Sequence, residues 1–301
     1  MVVGDSMRAL AMNARRRLVP YFLLGPGIVW LVLFFVVPMY FMGRLSLETG
    51  SIVTGFEFTW AWENFSDALG EFDTQFLRSF YYAGAATVLA LLIGYPLAYV
   101  IAFRAGRWRN ALLFVVIAPF FTTYLIRTIA WQSIFDDRSP AVEALKFVGL
   151  VPQDGRVLAT SGAVIAGLTY NFLPFMILPL YASLERIDEG LIEAAKDLYA
   201  SSREAFVRVT LPLSAPGIVA GTLLTFIPAV GDYINAQFLG GPQQFMIGNV
   251  IQFRYLQLND YPVAAALSFT LMAIILVAVL LYIRFAGSEA LMGDEAEGER
   301  A

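Results

Sequence analysis

The sequence predicts an all-α integral membrane protein with six transmembrane helices. The chain is 58% hydrophobic and only 15% charged, whereas a soluble domain carries about 25% charged residues. Its apolar runs are long enough for helices, which need about 20 residues to cross a bilayer. The two-residue alternation of an outer-membrane barrel is absent. Together these observations favour a helical bundle that spans a membrane.

Six charge-poor runs are the predicted spans, at residues 19–43, 79–103, 110–126, 157–184, 209–231 and 261–283. The first run follows three arginines, but it is too long for a signal peptide and no cleavage site follows it, so we expect a retained helix. One transmembrane domain therefore covers residues 19–285. It lies between a cytoplasmic segment, 1–18, and an acidic cytoplasmic tail, 286–301, which we expect to be disordered.

The distribution of basic residues predicts the orientation. Thirteen of the 20 Lys and Arg residues fall in one alternating set of connections and in the two ends of the chain. Because cytoplasmic connections are enriched in Lys and Arg, this set is assigned to the cytoplasm. Both termini and the connection 185–213 are then cytoplasmic, and the segment 232–260 faces outward.

The composition excludes several kinds of chemistry. The chain has neither Cys nor His, which removes thiolate chemistry, Ser-His-Asp triads and the commonest metal ligand. Its two lysines, Lys146 and Lys196, do not follow glycine as a P-loop lysine does. We therefore expect no metal or cofactor on this chain, and any coupling to ATP has to come from a partner.

The connection 185–213 is the most polar long segment in the middle of the chain. Apolar residues recur at helical spacing from Leu191 to Leu198, which predicts a short amphipathic helix. Pro212 and Pro216 are expected to end this elbow and turn the chain into the fifth span. Its polar face mixes acidic and basic groups, which suits docking into a groove of another protein. The alternative is a helix lying on the inner leaflet.

The elbow resembles the EAA motif of ABC importer permeases. The resemblance rests on Glu193-Ala194-Ala195, Leu198, Phe206, Val209, Leu211-Pro212-Leu213 and Pro216-Gly217-Ile218. In that family the motif forms the coupling helix, which fits into the ATPase subunit. The resemblance implies this role for Glu193, Ala194, Ala195, Asp197, Leu198 and Tyr199. At Tyr199 the family has glycine.

The stretches 94–104, 125–135, 170–188 and 226–252 resemble the spermidine/putrescine branch of that family. This resemblance implies a B-type permease of the type I (MetI-like) fold in a bacterial plasma membrane. Its implied partners are a second related permease, two ATPases that bind ATP and Mg²⁺, an external binding protein, membrane lipid and a polyamine, with no role for nucleic acid. Asn235-Ala236 stands where the branch usually has Thr-Pro, which bears on the substrate pocket.

Asp232 is the leading candidate for contact with a cationic substrate. Counting from Pro216 places it about 24 Å along the fifth helix, and Tyr233, Asn235 and Gln237 lie nearby in the sequence. A carboxylate among these groups suits an amine, although a solvent-exposed helix cap is the alternative. Trp131 and Tyr170 are candidate cation–π partners, with an interfacial aromatic belt as the alternative.

Arg127 and the segment 232–260 also have predicted roles. Arg127 is interpreted as an anchor that reaches the outer headgroups. The apolar segment 232–260 is expected to include a short helix after Pro242 at the outer mouth, as a gate, a docking edge or packing.

Rival functions remain open. An importer of the same fold could carry an opine, an aminophosphonate or ferric iron. An ion-coupled secondary carrier would need no ATPase, but the elbow and the absence of inverted-repeat marks argue against it. An intramembrane enzyme lacks paired carboxylates, His and Cys.

Overall fold

The computed structural model of the protein describes residues 24–284. The predictions for the segment 1–18 and for the tail 286–301 lie outside these residues, as does the start of the first span. The described helices are α1 (Leu24–Leu45), α2 (Glu63–Glu71), α3 (Asp73–Phe103), α4 (Gly106–Phe121), α5 (Tyr124–Ile134), α6 (Pro140–Phe147), α7 (Ser161–Glu185), α8 (Glu189–Asp197), α9 (Ser202–Leu213), α10 (Ala215–Val230), α11 (Ile234–Leu239), α12 (Ile247–Leu256) and α13 (Tyr261–Tyr282).

Six spans can be assembled from these helices. Four helices, α1, α3, α7 and α13, are each long and apolar enough to cross a membrane. Two bent pairs meet the same criterion when each pair is taken as one span: α4 with α5 is the third span, and α9 with α10 is the fifth. The predicted six-span, predominantly helical fold is confirmed, although two spans are not straight.

The third span differs most from its prediction. The sequence predicts one helix over residues 110–126, but α4 and α5 meet at 96° and the second half continues to Ile134. The backbone of Thr122 and Thr123 is extended between them. Pro119 has no N–H for a helical hydrogen bond, so the last turn of α4 tightens to a 3₁₀-helix. The apolar run continues across the break, and hydropathy alone therefore does not reveal it.

The fifth span bends where its prolines lie. Helices α9 and α10 meet at 61° on either side of Ser214, between Pro212 and Pro216. This agrees with the prediction that the two prolines turn the chain from the elbow into the membrane.

A small β-hairpin in the connection after α1 was not predicted. Strands β1 (Glu48–Ser51) and β2 (Gly55–Phe58) pair antiparallel, with Glu48 opposite Phe58. Gly50 and Gly55 have φ angles of 128° and 82°, which glycine adopts far more readily than other residues. The strands are too short to give a clear alternating pattern in the sequence.

The core of the bundle is formed by the second, fourth and fifth spans. Helices α7 and α10 approach closely at Gly221, where a Cβ would lie only 2.8 Å from the sulfur of Met176. By contrast, no residue of α1 is buried, and this helix contacts the bundle where Phe269 of α13 lies against Gly43.

After the fifth span the chain returns to the core rather than looping outside it. The segment from α11 to α12 includes four fully buried residues, Asn235, Leu239, Met246 and Ile247. The short helix expected after Pro242 is α12, and α11 precedes it. This return segment forms one side of the site described next.

Candidate functional site

The elbow begins with a capped, exposed amphipathic helix. The Asp188 side chain accepts a hydrogen bond from the Gly190 N–H at 2.9 Å and so caps the start of α8. Glu193, Ala194 and Asp197 are exposed, while Ala195 is half-buried. Of the implied coupling residues, most therefore lie on a free surface of this chain.

Tyr199 lies in the turn that ends α8 and has a left-handed backbone. Its φ is 64°, a conformation that costs an ordinary L-residue about 1–2 kcal/mol. Its side chain is 98% exposed, and that of the neighbouring Leu198 is 82% exposed. Tyr199 therefore adopts a conformation that glycine would adopt at less cost, and the large side chains of Leu198 and Tyr199 stand exposed beside the turn.

A second cap connects the elbow with the spans. Ser201 and Glu204 form a capping box at the start of α9. Further along α9, the ring of Phe206 makes an edge contact with Tyr95 of the second span, with 5.7 Å between ring centroids. The Tyr95 hydroxyl is 2.8 Å from the buried hydroxyl of Ser214 at the bend. Movement of the elbow would therefore act directly on the second and fifth spans.

The third and fourth spans are also tied together beside the elbow. Arg109 at the start of the third span forms an ion pair with Glu185 at the end of the fourth, and its Nε donates to the Tyr181 hydroxyl at 2.5 Å. Glu185 lies three residues before Asp188, the N-cap of α8.

At the opposite end of the fifth span, a buried polar network surrounds Asp232. One oxygen of its carboxylate accepts from the Asn235 backbone N–H at 2.8 Å, and the other accepts from the Tyr124 hydroxyl. The Asn235 amide donates to the same hydroxyl at 2.5 Å. The Asn171 amide, from the fourth span, donates to Asn235 Oδ1 at 3.1 Å and to Thr128 Oγ1 at 3.3 Å. Three spans and the return segment therefore meet in one polar cluster.

The return segment is held in place by close backbone packing. Asn249 of α12 donates to the Tyr233 carbonyl oxygen at 2.8 Å. A Cβ at Gly248 would lie 2.5 Å from the Gly231 carbonyl oxygen, so only glycine permits this approach. The start of α12 is fixed against the second span as well, because the Ile247 N–H donates to Ser79 Oγ at 2.8 Å.

The prediction that Arg127 reaches outward to the headgroups is wrong. Only 8% of the residue is exposed, and its guanidinium lies over the rings of Phe120 and Tyr124, 5.4 and 5.6 Å from their centroids. The bend at Thr122 and Thr123 turns α5 back against the bundle. The distance along a straight helix, which placed Arg127 at the headgroups, therefore no longer applies.

The six predicted substrate residues divide into three groups. Asp232 and Asn235 belong to the polar network. Trp131 and Tyr170 are half-buried and contact each other, with 5.2 Å between ring centroids. The side chains of Tyr233 and Gln237 are exposed, and no hydrogen bond joins either side chain to the network within residues 24–284.

Sequence reasoning missed three members of the network, namely Tyr124, Thr128 and Asn171. A signal for Asn171 was present, because an amide in the middle of an apolar span needs a partner. Tyr124 and Thr128 gave no such signal, because hydropathy does not reveal the bend that brings them to the network. No group of three or more acidic residues in the described part of the chain could hold a metal ion.

Comparisons with known proteins agree with this architecture. A family model described as "Binding-protein-dependent transport system inner membrane component" matches residues 90–287. This range includes the elbow, the bend in the third span and the whole polar network.

Curated relatives are similar over most of their length. The chain is 37% identical over 256 residues to the spermidine/putrescine transport system permease protein PotB of Salmonella typhimurium (strain LT2), covering 85% of this chain and 89% of that protein. It is 36% identical to PotB of Escherichia coli K12, covering 85% and 93%. It is 35% identical to the inner membrane ABC transporter permease protein YdcU of the same organism, with 68% of each covered.

Solved structures are similar at lower identity. A bacterial alginate ABC transporter, in complex with an alginate pentasaccharide-bound periplasmic protein, matches with a TM-score of 0.67 and 21% identity, covering 92% of this chain and 98% of that one. The MetNI methionine ABC transporter, in an inward-facing conformation, matches with a TM-score of 0.50 and 19% identity, covering 73% and 94%. At these identities the likeness shows a shared fold, and it confirms the fold class predicted from the sequence.

Proposed function

The chain belongs to the family of binding-protein-dependent transport system inner membrane components, and on that premise we propose that it moves polyamines such as spermidine and putrescine across the membrane. It is a transport subunit and not an enzyme. The observation that carries the substrate class is the similarity to spermidine/putrescine permeases at 36–37% identity over 85% of the chain.

The polar network is the proposed point of contact with the substrate. Asp232 brings a carboxylate into a largely covered position at the end of the fifth span, and the hydroxyl and amide groups around it can reorganise their hydrogen bonds. A carboxylate facing an ammonium makes a charge-assisted bond. Asn235 is proposed as a direct contact, and Trp131 and Tyr170 as an aromatic wall further along the path. Tyr233 and Gln237 are proposed at the mouth, where their exposure suits first contact.

The elbow is the proposed coupling element. Its exposed residues, with Leu198 and Tyr199 free of intrachain contacts over most of their surface, suit insertion into a cleft of an ATPase subunit. The contact of Phe206 with Tyr95 would carry closure of the ATPases to the second span, and the bend at Ser214 would carry it to the fifth. ATP and Mg²⁺ bind to the ATPases in this proposal.

The complete transporter in this proposal has four kinds of component. The chain pairs with a second, related permease, two ATPases dock on the elbows, and an extracytoplasmic binding protein delivers the substrate. The termini, with the segment 1–18 and the tail 286–301, are placed in the cytoplasm together with the elbow. The helical domain between them crosses the bacterial inner membrane.

Reconstitution tests this function. The chain would be co-purified with its partner subunits, placed in proteoliposomes, and assayed for uptake of labelled spermidine with ATP supplied on the side of the elbows. Uptake that requires ATP and the binding protein is expected, with competition by putrescine. Uptake of an opine, an aminophosphonate or ferric iron in place of spermidine would overturn the substrate assignment. Uptake driven by an ion gradient without ATP would overturn the class.

A further inference from the structure

Four aromatic rings form a continuous cluster at the bend of the third span. Phe120 lies just before the bend and Tyr124 just after it, while Phe172 and Phe175 belong to the fourth span. Phe120 meets Phe175 edge-on at 5.2 Å between centroids. Phe175 contacts Phe172 at 6.1 Å, and Phe172 contacts Tyr124 at 6.1 Å. The hydroxyl of the last ring donates to Asp232, so the cluster ends at a carboxylate.

The guanidinium of Arg127 closes this cluster between its two end members, Phe120 and Tyr124. Its Nε and Nη1 atoms are buried without hydrogen-bond partners. Among the described residues, no carboxylate lies within ion-pair distance of it. The aromatic faces are therefore its main interaction inside the chain.

Packing alone does not account for a charge at this position. Buried charges in proteins are normally paired and hydrogen-bonded, because desolvation is otherwise costly. An apolar side chain would fill the same space at less cost. Aromatic faces beside a carboxylate, in contrast, are groups that bind alkylammonium ions. In this chain the guanidinium of Arg127 is the cation that contacts those faces.

We propose that Arg127 is a built-in competitor of the substrate, whose guanidinium occupies the cation position between Phe120 and Tyr124 until an ammonium group of the polyamine displaces it. This inference rests on the proposed function and adds to it a residue that sets the affinity for the substrate. A polycation offers one ammonium to the rings and another to Asp232. Binding of the first ammonium requires displacement of the guanidinium, so Arg127 weakens the binding of the polyamine and favours its release.

Binding measurements on the assembled transporter test the inference. Labelled spermidine would be titrated by equilibrium dialysis against the complex of both permeases and both ATPases, without the binding protein. Arg127→Met removes the competing charge and is expected to bind spermidine about tenfold more tightly, which corresponds to about 1.4 kcal/mol. Arg127→Lys keeps a cation and is expected to stay near the wild type. Arg138→Met makes the same change at an exposed position and should have no effect.

A second measurement uses the unaltered protein, so that a folding defect in a variant leaves the inference testable. Modification of Arg127 by phenylglyoxal, located by mass spectrometry, should be slow without spermidine and faster with it, because the displaced guanidinium leaves its covered position. Unchanged or slower modification would overturn the displacement. Equal or weaker spermidine binding by a folded Arg127→Met complex would overturn the competition. A wild-type complex that neither binds nor transports spermidine would instead overturn the proposed function.

Discussion

Substitution of Asp232 by Asn tests the polar network most directly. The change preserves the shape of the side chain and removes its charge. The Asn235 N–H, which donates to Oδ1 at 2.8 Å, keeps an acceptor in the amide. The Tyr124 hydroxyl loses one, because an NH₂ group replaces the oxygen that received its proton. A hydrogen bond to an ionised carboxylate is worth about 1.5–3 kcal/mol, so a loss of stability up to this size is expected and the variant should still fold.

Transport should fall as well. A bond between an ionised carboxylate and an ammonium is worth about 1.5–3 kcal/mol. By the same arithmetic, uptake at low spermidine concentration should fall about ten- to a hundredfold. Spermidine binding by the external protein and assembly with the ATPases should be unaffected, since both depend on other surfaces.

The assay is uptake of labelled spermidine into proteoliposomes across a concentration series, with the amount of transporter in the membrane measured in parallel. Asp67→Asn provides the matched control, because it makes the same chemical change on the exposed face of α2. Normal uptake by Asp232→Asn at low spermidine would show that this carboxylate acts only as a helix cap and has no role in transport. Disappearance of folded protein would show that its role is structural, and would equally refute the reasoning.

The further predictions concern the elbow and the contact of the second span with the bend at Ser214. Glu193→Arg should impair co-purification with the ATPase and substrate-stimulated ATP hydrolysis, because a like-charge contact costs several kcal/mol when desolvated; Glu143→Arg, at an exposed position of α6, is the control, and unchanged turnover would exclude coupling through Glu193. Tyr199→Gly should raise thermal stability by about 1 kcal/mol by relieving its left-handed backbone, whereas Tyr199→Ala should weaken assembly more than Tyr199→Phe; equal assembly would show that the ring is not used. Tyr95→Phe should cost about 1 kcal/mol in unfolding free energy through its lost bond to Ser214, and the effect should vanish in a Ser214→Ala background; a persisting effect would rule out that bond as the cause.

The sequence by itself determined the class of the protein and the position of its polar elbow. Long apolar runs leave a chain few stable structures other than membrane helices, because lipid cannot satisfy backbone hydrogen bonds. The elbow was equally visible, since its helical spacing and its prolines act through residues close in sequence. These features are local, and local features can be inferred from neighbouring residues.

Only the tertiary structure decided what surrounds Asp232. The network joins Tyr124, Asn171 and Asn235, which are separated by tens of residues, and their contact depends on the 96° bend in the third span. The same bend moved Arg127 from a predicted outer anchor to a covered position among aromatic rings. Hydropathy reports how much of a segment is apolar and says nothing of the angle at which two halves meet. The physical reason is that side chains distant in sequence meet only after the helices have packed.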